Sequence, residues 1–403
     1  MASKRDIRLF YLVTVAYWCS LYFYVPILGP YVEHLGGSLQ MVGLVIGSYG
    51  VSQLVLRIPL GVFSDTIQKR RIFINGGLLL ALISAVVMGL APSPGLVLLG
   101  RALSGAGAAT WVIFTVLFSS YFPPQEAPKA MGVIMFCTTM GQMIATTTGG
   151  FLADAFGWQA PFFLAGLVAL GGLLFSMGIE EGVPQQKREP LQMGELLQVG
   201  RDRQLLLVSF LGVLYQGLTY ASIYGFNPMY AVSIGATKSQ LSLLALASTV
   251  PAAFASLKSG DLTARFGERR VLLTSFGLFT LFTVVIPFVT ELPMFYFTQA
   301  IANLGRGCIF PILLSLAIID VPDEKRATAM GFFQSIYALG MFLGPVLAGF
   351  IGEHLSLKSS FISIGLLGVV AMFFVHRQIK VQSPGSPGAT EEIPSPGRSS
   401  LGK

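Results

Sequence analysis

Gly61-Val62-Phe63-Ser64-Asp65-Thr66-Ile67-Gln68-Lys69-Arg70-Arg71 joins one long apolar run to the next. A stretch of the same design, Gly260-Asp261-Leu262-Thr263-Ala264-Arg265-Phe266-Gly267-Glu268-Arg269-Arg270, occupies the same setting 199 residues later. Other marks keep an offset of 198 or 199: Tyr17, Tyr22 and Pro30 fall on Tyr215, Tyr220 and Pro228, and Met131-Gly132 falls on Met330-Gly331. Gly141 falls on Gly340 and Gly150 on Gly349. A nearly constant offset held through six apolar runs is not a by-product of composition. It makes the chain two related halves with the same orientation, a parallel repeat.

The composition places those halves in a membrane. Of 403 residues, 53% are hydrophobic and only 11% are Asp, Glu, Lys or Arg, against about 25% in soluble domains. A water-soluble chain of this size lacks the charges to cover its surface, whereas a bilayer removes the demand. The 46 Gly residues suit helices packed closely in lipid. The net charge of +7 is distributed in short clusters between apolar runs, such as Lys69-Arg70-Arg71 and Arg269-Arg270. That spacing reads as a topology signal and excludes a nucleic-acid groove. Cys19, Cys137 and Cys308 lie alone inside apolar stretches, which implies neither a disulfide frame nor a metal site.

Runs of about 20 residues span the hydrocarbon. Twelve such runs lie near 7–31, 38–62, 72–92, 95–121, 129–153, 159–179, 204–232, 239–259, 271–290, 293–319, 327–352 and 358–376. The first, with Lys4, Arg5 and Arg8 before it, imitates a signal peptide. No small-residue cleavage site follows and a second run begins almost at once, so it reads as a retained span. The expected fold is an all-α membrane protein of twelve transmembrane helices in two six-helix bundles. Residues 1–179 form the first bundle, 180–203 a polar linker, 204–377 the second bundle and 378–403 a Pro-, Gly- and Ser-rich disordered tail. With the N-terminus inside, the outer loops carry only Lys238 and Lys358 and all other loop cations lie inside. The positive-inside rule therefore puts both termini in the cytoplasm, with the chain multi-pass in the cell membrane.

The duplicated loop resembles the G-x-x-x-D-[RK]-x-G-[RK]-[RK] motif of the major facilitator superfamily, and the resemblance runs from residue 7 to about 377. The first copy keeps Gly61, Asp65, Lys69 and Arg70 but has Thr66 and Gln68 at the basic and glycine positions. The second keeps Gly260, Arg265, Gly267 and Arg269 but has Ala264 for the acid. The resemblance implies a latch in which glycine allows close approach and the acid pairs across the half-interface, holding one access state. The basic residues also serve as topology signals.

Arg101-Ala102-Leu103-Ser104-Gly105-Ala106-Gly107-Ala108-Ala109 resembles the family's R-x-x-x-G-x-G-x-A pattern, which contributes a charge to the central cavity. Gly105 and Gly107 read as packing residues. Gly340-Met341-Phe342-Leu343-Gly344-Pro345-Val346-Leu347-Ala348-Gly349 resembles the G-x-x-x-G-P-x-x-G-G signature that drug and proton antiporters carry in helix five, but here it lies in helix eleven. Helix five has Gly141, Gly149 and Gly150 with Ala145-Thr146 in place of Gly-Pro. Gly340, Gly344, Pro345 and Gly349 join those three as expected packing positions.

Three arginines fall inside spans, where a charge costs roughly 2.5–3.5 kcal/mol on insertion scales and is a functional candidate. Arg57 lies near a helix end and is expected to snorkel to water. Arg101 and Arg306 lie deeper, and no Asp or Glu lies well inside any span to pair with them. Either they are satisfied internally or they face a water-filled cavity that attracts anions. Tyr17 and Tyr215, with Gln216 and Asn227, are further cavity candidates, whereas Tyr24 and Tyr224 fit an interfacial belt.

These readings converge on a secondary transporter working by alternating access on a small organic solute, an anion by the arginines. An efflux antiporter for lipophilic compounds is the competing reading, and a non-transporting receptor the alternative of another class. The chain lacks G-x-x-x-x-G-K-[ST], H-E-x-x-H and G-x-S-x-G, so neither ATP-driven pumping nor an enzyme is indicated. The expected partners are the solute, the bilayer and a coupling ion, with the chain a monomer needing no cofactor.

Overall fold

The computed structural model describes residues 3–67, 69–123, 126–181, 200–322 and 325–379. The expected linker and tail lie almost wholly outside these residues. Among the described residues there are twelve apolar helices: α1 Lys4–His34, α2 Leu39–Ile67, α3 Arg70–Gly89, α4 Pro94–Ser119, α5 Ala127–Phe156 and α6 Ala160–Ser176, then α7 Arg203–Ser233, α8 Lys238–Phe266, α9 Glu268–Phe288, α10 Leu292–Leu316, α11 Arg326–His354 and α12 Leu357–Gln378. No strand occurs among the described residues. Eleven of the helices are long and apolar enough to cross a membrane, and α6 is a shorter apolar helix. Large apolar side chains on the outside, such as Phe136 at 64% and Leu257 at 80% exposure, belong against lipid rather than water.

Two turns marked by glycine show the duplication in the backbone. Gly36 between α1 and α2, and Gly235 between α7 and α8, have φ of 83° and 93°, a region open to glycine at little cost. The first helix of each half is also interrupted. In α1 a tight turn over Val25–Ile27 contains Pro26, and in α7 a wide turn over Ser222–Phe226 precedes Asn227-Pro228. Proline removes a backbone donor, and such breaks are tolerated where neighbouring helices cover them.

The duplicated stretches are not loops. α2 stays helical to Ile67 and α8 to Phe266, so two turns expected to be loop continue their helices. Nothing in Val62–Ile67 breaks a helix, and in the second half the stop comes only at Gly267, with φ of 80°.

Helix pairings repeat six helices on. α1 packs on α5 and α6 as α7 packs on α11 and α12, and α4 packs on α2 and α3 as α10 packs on α8 and α9. The halves meet chiefly through α2 on α11 and α5 on α8. Glycines decide how close they come. A side chain at Gly141 would strike the Val15 carbonyl of α1 at 2.9 Å, and one at Gly340 would strike Val213 of α7. Gly149 lies likewise on Phe23, and Gly344 on Gly217. Gly150 and Gly349 instead face the other half, against Lys238 of α8 and, at 2.6 Å, the Leu39 carbonyl of α2. Gly105 seats α4 on the Tyr49 carbonyl of α2, at 2.5 Å for an added Cβ, and Gly107 seats it on Gly77 of α3. The carbonyl of Pro345 lies against Gly43.

We call the face that carries Lys4 and Gln378 the terminal face, and the opposite one the far face. At the far face two carboxylates related by the repeat clasp the halves. Asp154, ending α5, accepts from the Ser239 amide of α8 at 2.8 Å and from the Ser239 hydroxyl. Glu353, ending α11, accepts from the Leu39 amide of α2 at 2.9 Å. Each satisfies an orphan donor at a helix N-terminus of the other half, where the helix dipole favours an anion by about 0.3–1 kcal/mol. Asp154→Asn together with Glu353→Gln is expected to weaken far-face closure by about 0.6–2 kcal/mol. Spin labels at the exposed Glu33 and Ser233, ending α1 and α7, should then show a longer-distance population. An unchanged distance distribution would mean that the carboxylates cap helices without holding the halves together.

Candidate functional cavity

Behind the far-face clasp, between α1 and α5 of one half and α7, α8 and α10 of the other, lies a cavity of about 370 Å³. Its ceiling is the α5–α8 contact, where Ser242 donates to the Thr146 carbonyl at 2.9 Å and accepts from the Gly150 amide at 2.8 Å. Thr139, Gln142 and Thr146 line it from α5, and Ser248, Thr249 and Ser256 from α8. The aromatic wall is Tyr22, Tyr215, Tyr224 and Phe310. Tyr215 stacks on Phe310 with centroids 5.7 Å apart, and Tyr22 meets Tyr224 edge-on at 6.2 Å across the two halves.

Arg306 of α10 is the single charged side chain among the described residues of this wall, and no carboxylate faces it. Its Nε donates to the Asn303 carbonyl oxygen Oδ1 at 2.5 Å, and its guanidinium lies beside the Tyr215 hydroxyl. Asn303 in turn donates to the Gln299 backbone carbonyl at 2.8 Å, and Asn227 of α7 donates to the Gln299 side chain at 2.6 Å. This buried amide ladder orients the arginine. A guanidinium has five N–H donors in a planar fork, so one bond to Asn303 leaves donors for a solute.

The candidates named from sequence therefore separate. Arg306 and Tyr215 line the cavity. Asn227 does not: it is buried one layer behind, holding the ladder. Gln216 is half-buried on α7 and outside the lining. Tyr17 is fully buried inside the first half, donating to the Gly107 carbonyl at 2.5 Å and packing on Phe114 at 4.6 Å. The face it shares with Tyr24 turns toward α4, not toward the other half.

Arg101 also leaves the cavity. At 3% exposure it lies over the Tyr49 ring at 4.2 Å and the Tyr24 ring at 5.7 Å, with Nη1 donating to Ser104 at 3.3 Å. Because Gly105 seats α4 on the backbone of Tyr49, the arginine one turn earlier is drawn between these rings. Cation–π attraction in a desolvated site, about 2 kcal/mol, replaces the missing carboxylate. Tyr24 is thus a core residue and no belt, whereas Tyr224 faces the cavity.

Arg57 does not snorkel. It is buried, donating to Gln53 at 2.5 Å and, across the half-interface, to the Gln334 carbonyl and the Tyr337 hydroxyl of α11, both at 3.4 Å. Of the expected latch, the described residues show only the parts around its acid. A side chain at Gly61 or Gly260 meets open space, so neither allows a close approach here. Arg269 bonds His376 of its own half at 3.1 Å, Arg265 lies over Phe266 at 5.1 Å, and Lys69 is exposed. Gly267 ends α8, and the side chain of Asp65 lies outside the described residues, as does any account of its pairing with Arg70.

Sequence reading missed the polar stripes of α5 and α8. Thr139, Gln142 and Thr146 recur at helical spacing in an apolar span, the pattern of one face turned from lipid.

The sequence profile of the Major Facilitator Superfamily matches residues 10–231 and 209–401. The chain belongs to this superfamily. Its members are transporters, so this chain is a multi-pass membrane transporter of small molecules and not an enzyme. It is 24% identical to an uncharacterised MFS-type transporter of Methanocaldococcus jannaschii over 94% of its own length and 99% of the relative's. It is 22% identical to the multidrug resistance protein MdtG of Klebsiella pneumoniae over 89% of each chain. Among solved structures, the superfamily fold superposes on a bacterial homolog of the human lysosomal transporter Spinster with a TM-score of 0.79, at 16% identity, over 92% of this chain and 95% of that one.

Proposed function

We propose that this superfamily member carries a small organic anion by alternating access of two six-helix bundles, residues 1–179 and 204–377, with the terminal face in the cytoplasm. The observation that carries the reading is the cation of the cavity: among the described residues Arg306 faces it and no carboxylate does. A low-dielectric cleft with one sign of charge concentrates solutes of the other, and a guanidinium binds carboxylates bidentately. Thr139, Gln142 and Ser256 supply neutral hydrogen bonds, and the tyrosines an apolar body. A volume of about 370 Å³ lies in the range of small-molecule sites, roughly 300–1,000 Å³. Exchange or facilitated diffusion needs no protonatable group in the cavity, so a coupling ion is not required by this site.

The test is a thermal-shift screen of the purified protein against small aromatic and aliphatic carboxylates and lipophilic cations, followed by flux into proteoliposomes. Carboxylates at 100 times their dissociation constant should stabilise by roughly 2.7 kcal/mol and be transported. The aromatic wall, together with the multidrug relative, favours a second reading, export of lipophilic compounds. Stabilisation by cations with none by carboxylates would install it.

A further inference from the structure

On the outer surface of the second half, α8, α9 and α10 leave a groove of about 670 Å³ open toward the bilayer at the terminal end. Phe254, Leu278, Leu304 and Cys308 form its almost wholly apolar walls, and Lys258 and Arg270 stand at its mouth. Both cations are exposed. Lys258 has one carboxylate neighbour, Asp261 at 3.4 Å, itself exposed. Arg265 lies over Phe266 and Arg269 bonds His376, so the mouth remains net cationic.

The first half, built on the same plan, does not repeat this pair of cations. Lys258 corresponds to Pro59 and Arg270 to Arg71. Arg71 is engaged by its own bundle, donating to the Met177 and Ile179 carbonyls at 3.4 and 3.1 Å, while its amide donates to Glu181. Its mate Arg270 borders the groove instead. The pair of cations over an apolar slot is therefore not a consequence of topology, which both halves share.

We propose that this groove holds an anionic phospholipid of the terminal-side leaflet, its phosphate on Lys258 and Arg270 and an acyl chain between α8, α9 and α10. Charge at the mouth and apolar walls in depth match the two ends of such a lipid, and basic pockets between membrane helices bind anionic headgroups. The site rests on membrane embedding alone and stands whatever the cavity carries. It backs directly on the cavity: Ser256 of α8 lines the cavity two residues before Lys258, and Gly307 of α10 lines it next to Cys308. The lipid therefore braces the two helices that form the cavity wall.

The test uses the full chain in phosphatidylcholine nanodiscs titrated with phosphatidylglycerol, with retained lipid counted by native mass spectrometry. Phosphatidylglycerol should be retained in preference to phosphatidylcholine. Each basic side chain near an anionic surface contributes about 1 kcal/mol, so Lys258→Gln with Arg270→Gln should weaken retention roughly thirtyfold. Thr274→Trp, at an exposed lining position, should weaken it with both charges intact. Equal retention of both lipids, or an unchanged double variant, overturns the proposal. Glycerol phosphate competing as well as the lipid would also overturn it, because the site would then read the phosphate alone.

Discussion

Leucine in place of Gly43 is expected to abolish transport while leaving both bundles folded. Gly43 lies on α2 where the carbonyl of Pro345 and the Cα of Gly349, both on α11, press against it, and the next glycines along, Gly47 and Gly50, meet Phe342 and Met341. A Cβ at Gly43 collides with backbone, which cannot rotate away as a flexible side chain can. Overpacking of a dense contact costs about 1–3 kcal/mol. The contact joins the two halves and not helices of one half, so the cost falls on far-face closure. Spin labels at Glu33 and Ser233 should therefore report a dominant longer distance, with thermal stability close to that of the parent. Gly340→Leu provides the control, because Gly340 packs on Val213 and Gly217 of α7 within one half, and it should lower folded yield instead. If Gly43→Leu loses folded protein as Gly340→Leu does, with no longer distance among the survivors, the α2–α11 contact is part of the core and not of a gate.

Arg306→Ala should weaken anion binding strongly and spare the fold. A hydrogen bond to a charged group contributes about 1.5–3 kcal/mol, so losing the guanidinium predicts a tenfold to hundredfold weaker dissociation constant for a carboxylate. Arg306 is half-buried and lines the cavity, so truncation leaves no core void. Arg306→Lys retains charge without the fork and should recover part of the affinity. Asn303→Ala should weaken binding less, since it removes the Nε acceptor that orients the fork but leaves the cation. Calorimetry on the four proteins measures the series. Equal anion affinity in parent and Arg306→Ala would assign Arg306 a structural role and move the solute site to the aromatic wall.

The linear chain showed a good deal of this. Hydrophobic runs of spanning length located the helices to within a few residues, and the only large error came where α2 and α8 run on past the expected loop start to Ile67 and Phe266. The offset also pairs glycines in like settings: Gly141 and Gly340 each lie against the first helix of their own half, and Gly150 and Gly349 each lie against the opposite half. Both results follow from local causes: a span needs a length of apolar residues, and a close crossing needs a residue without a side chain.

The three arginines show where that kind of reading stops. Arg57, Arg101 and Arg306 look alike in sequence, each a lone cation in an apolar run without a nearby acid. The fold gives them different fates: a tie across the halves, an aromatic enclosure, and a cavity wall. Helical periodicity says which residues share a face, as Tyr17 and Tyr24 do, but not whether that face meets lipid, a neighbour in the same bundle, or the opposite half. Membership of the fold, its duplication and its apolar surface belong to residue types and their spacing along one dimension. Which cation faces the cavity depends on how the helices cross, and so on contacts such as Gly105 on Tyr49 and Gly150 on Lys238, between residues far apart in the chain.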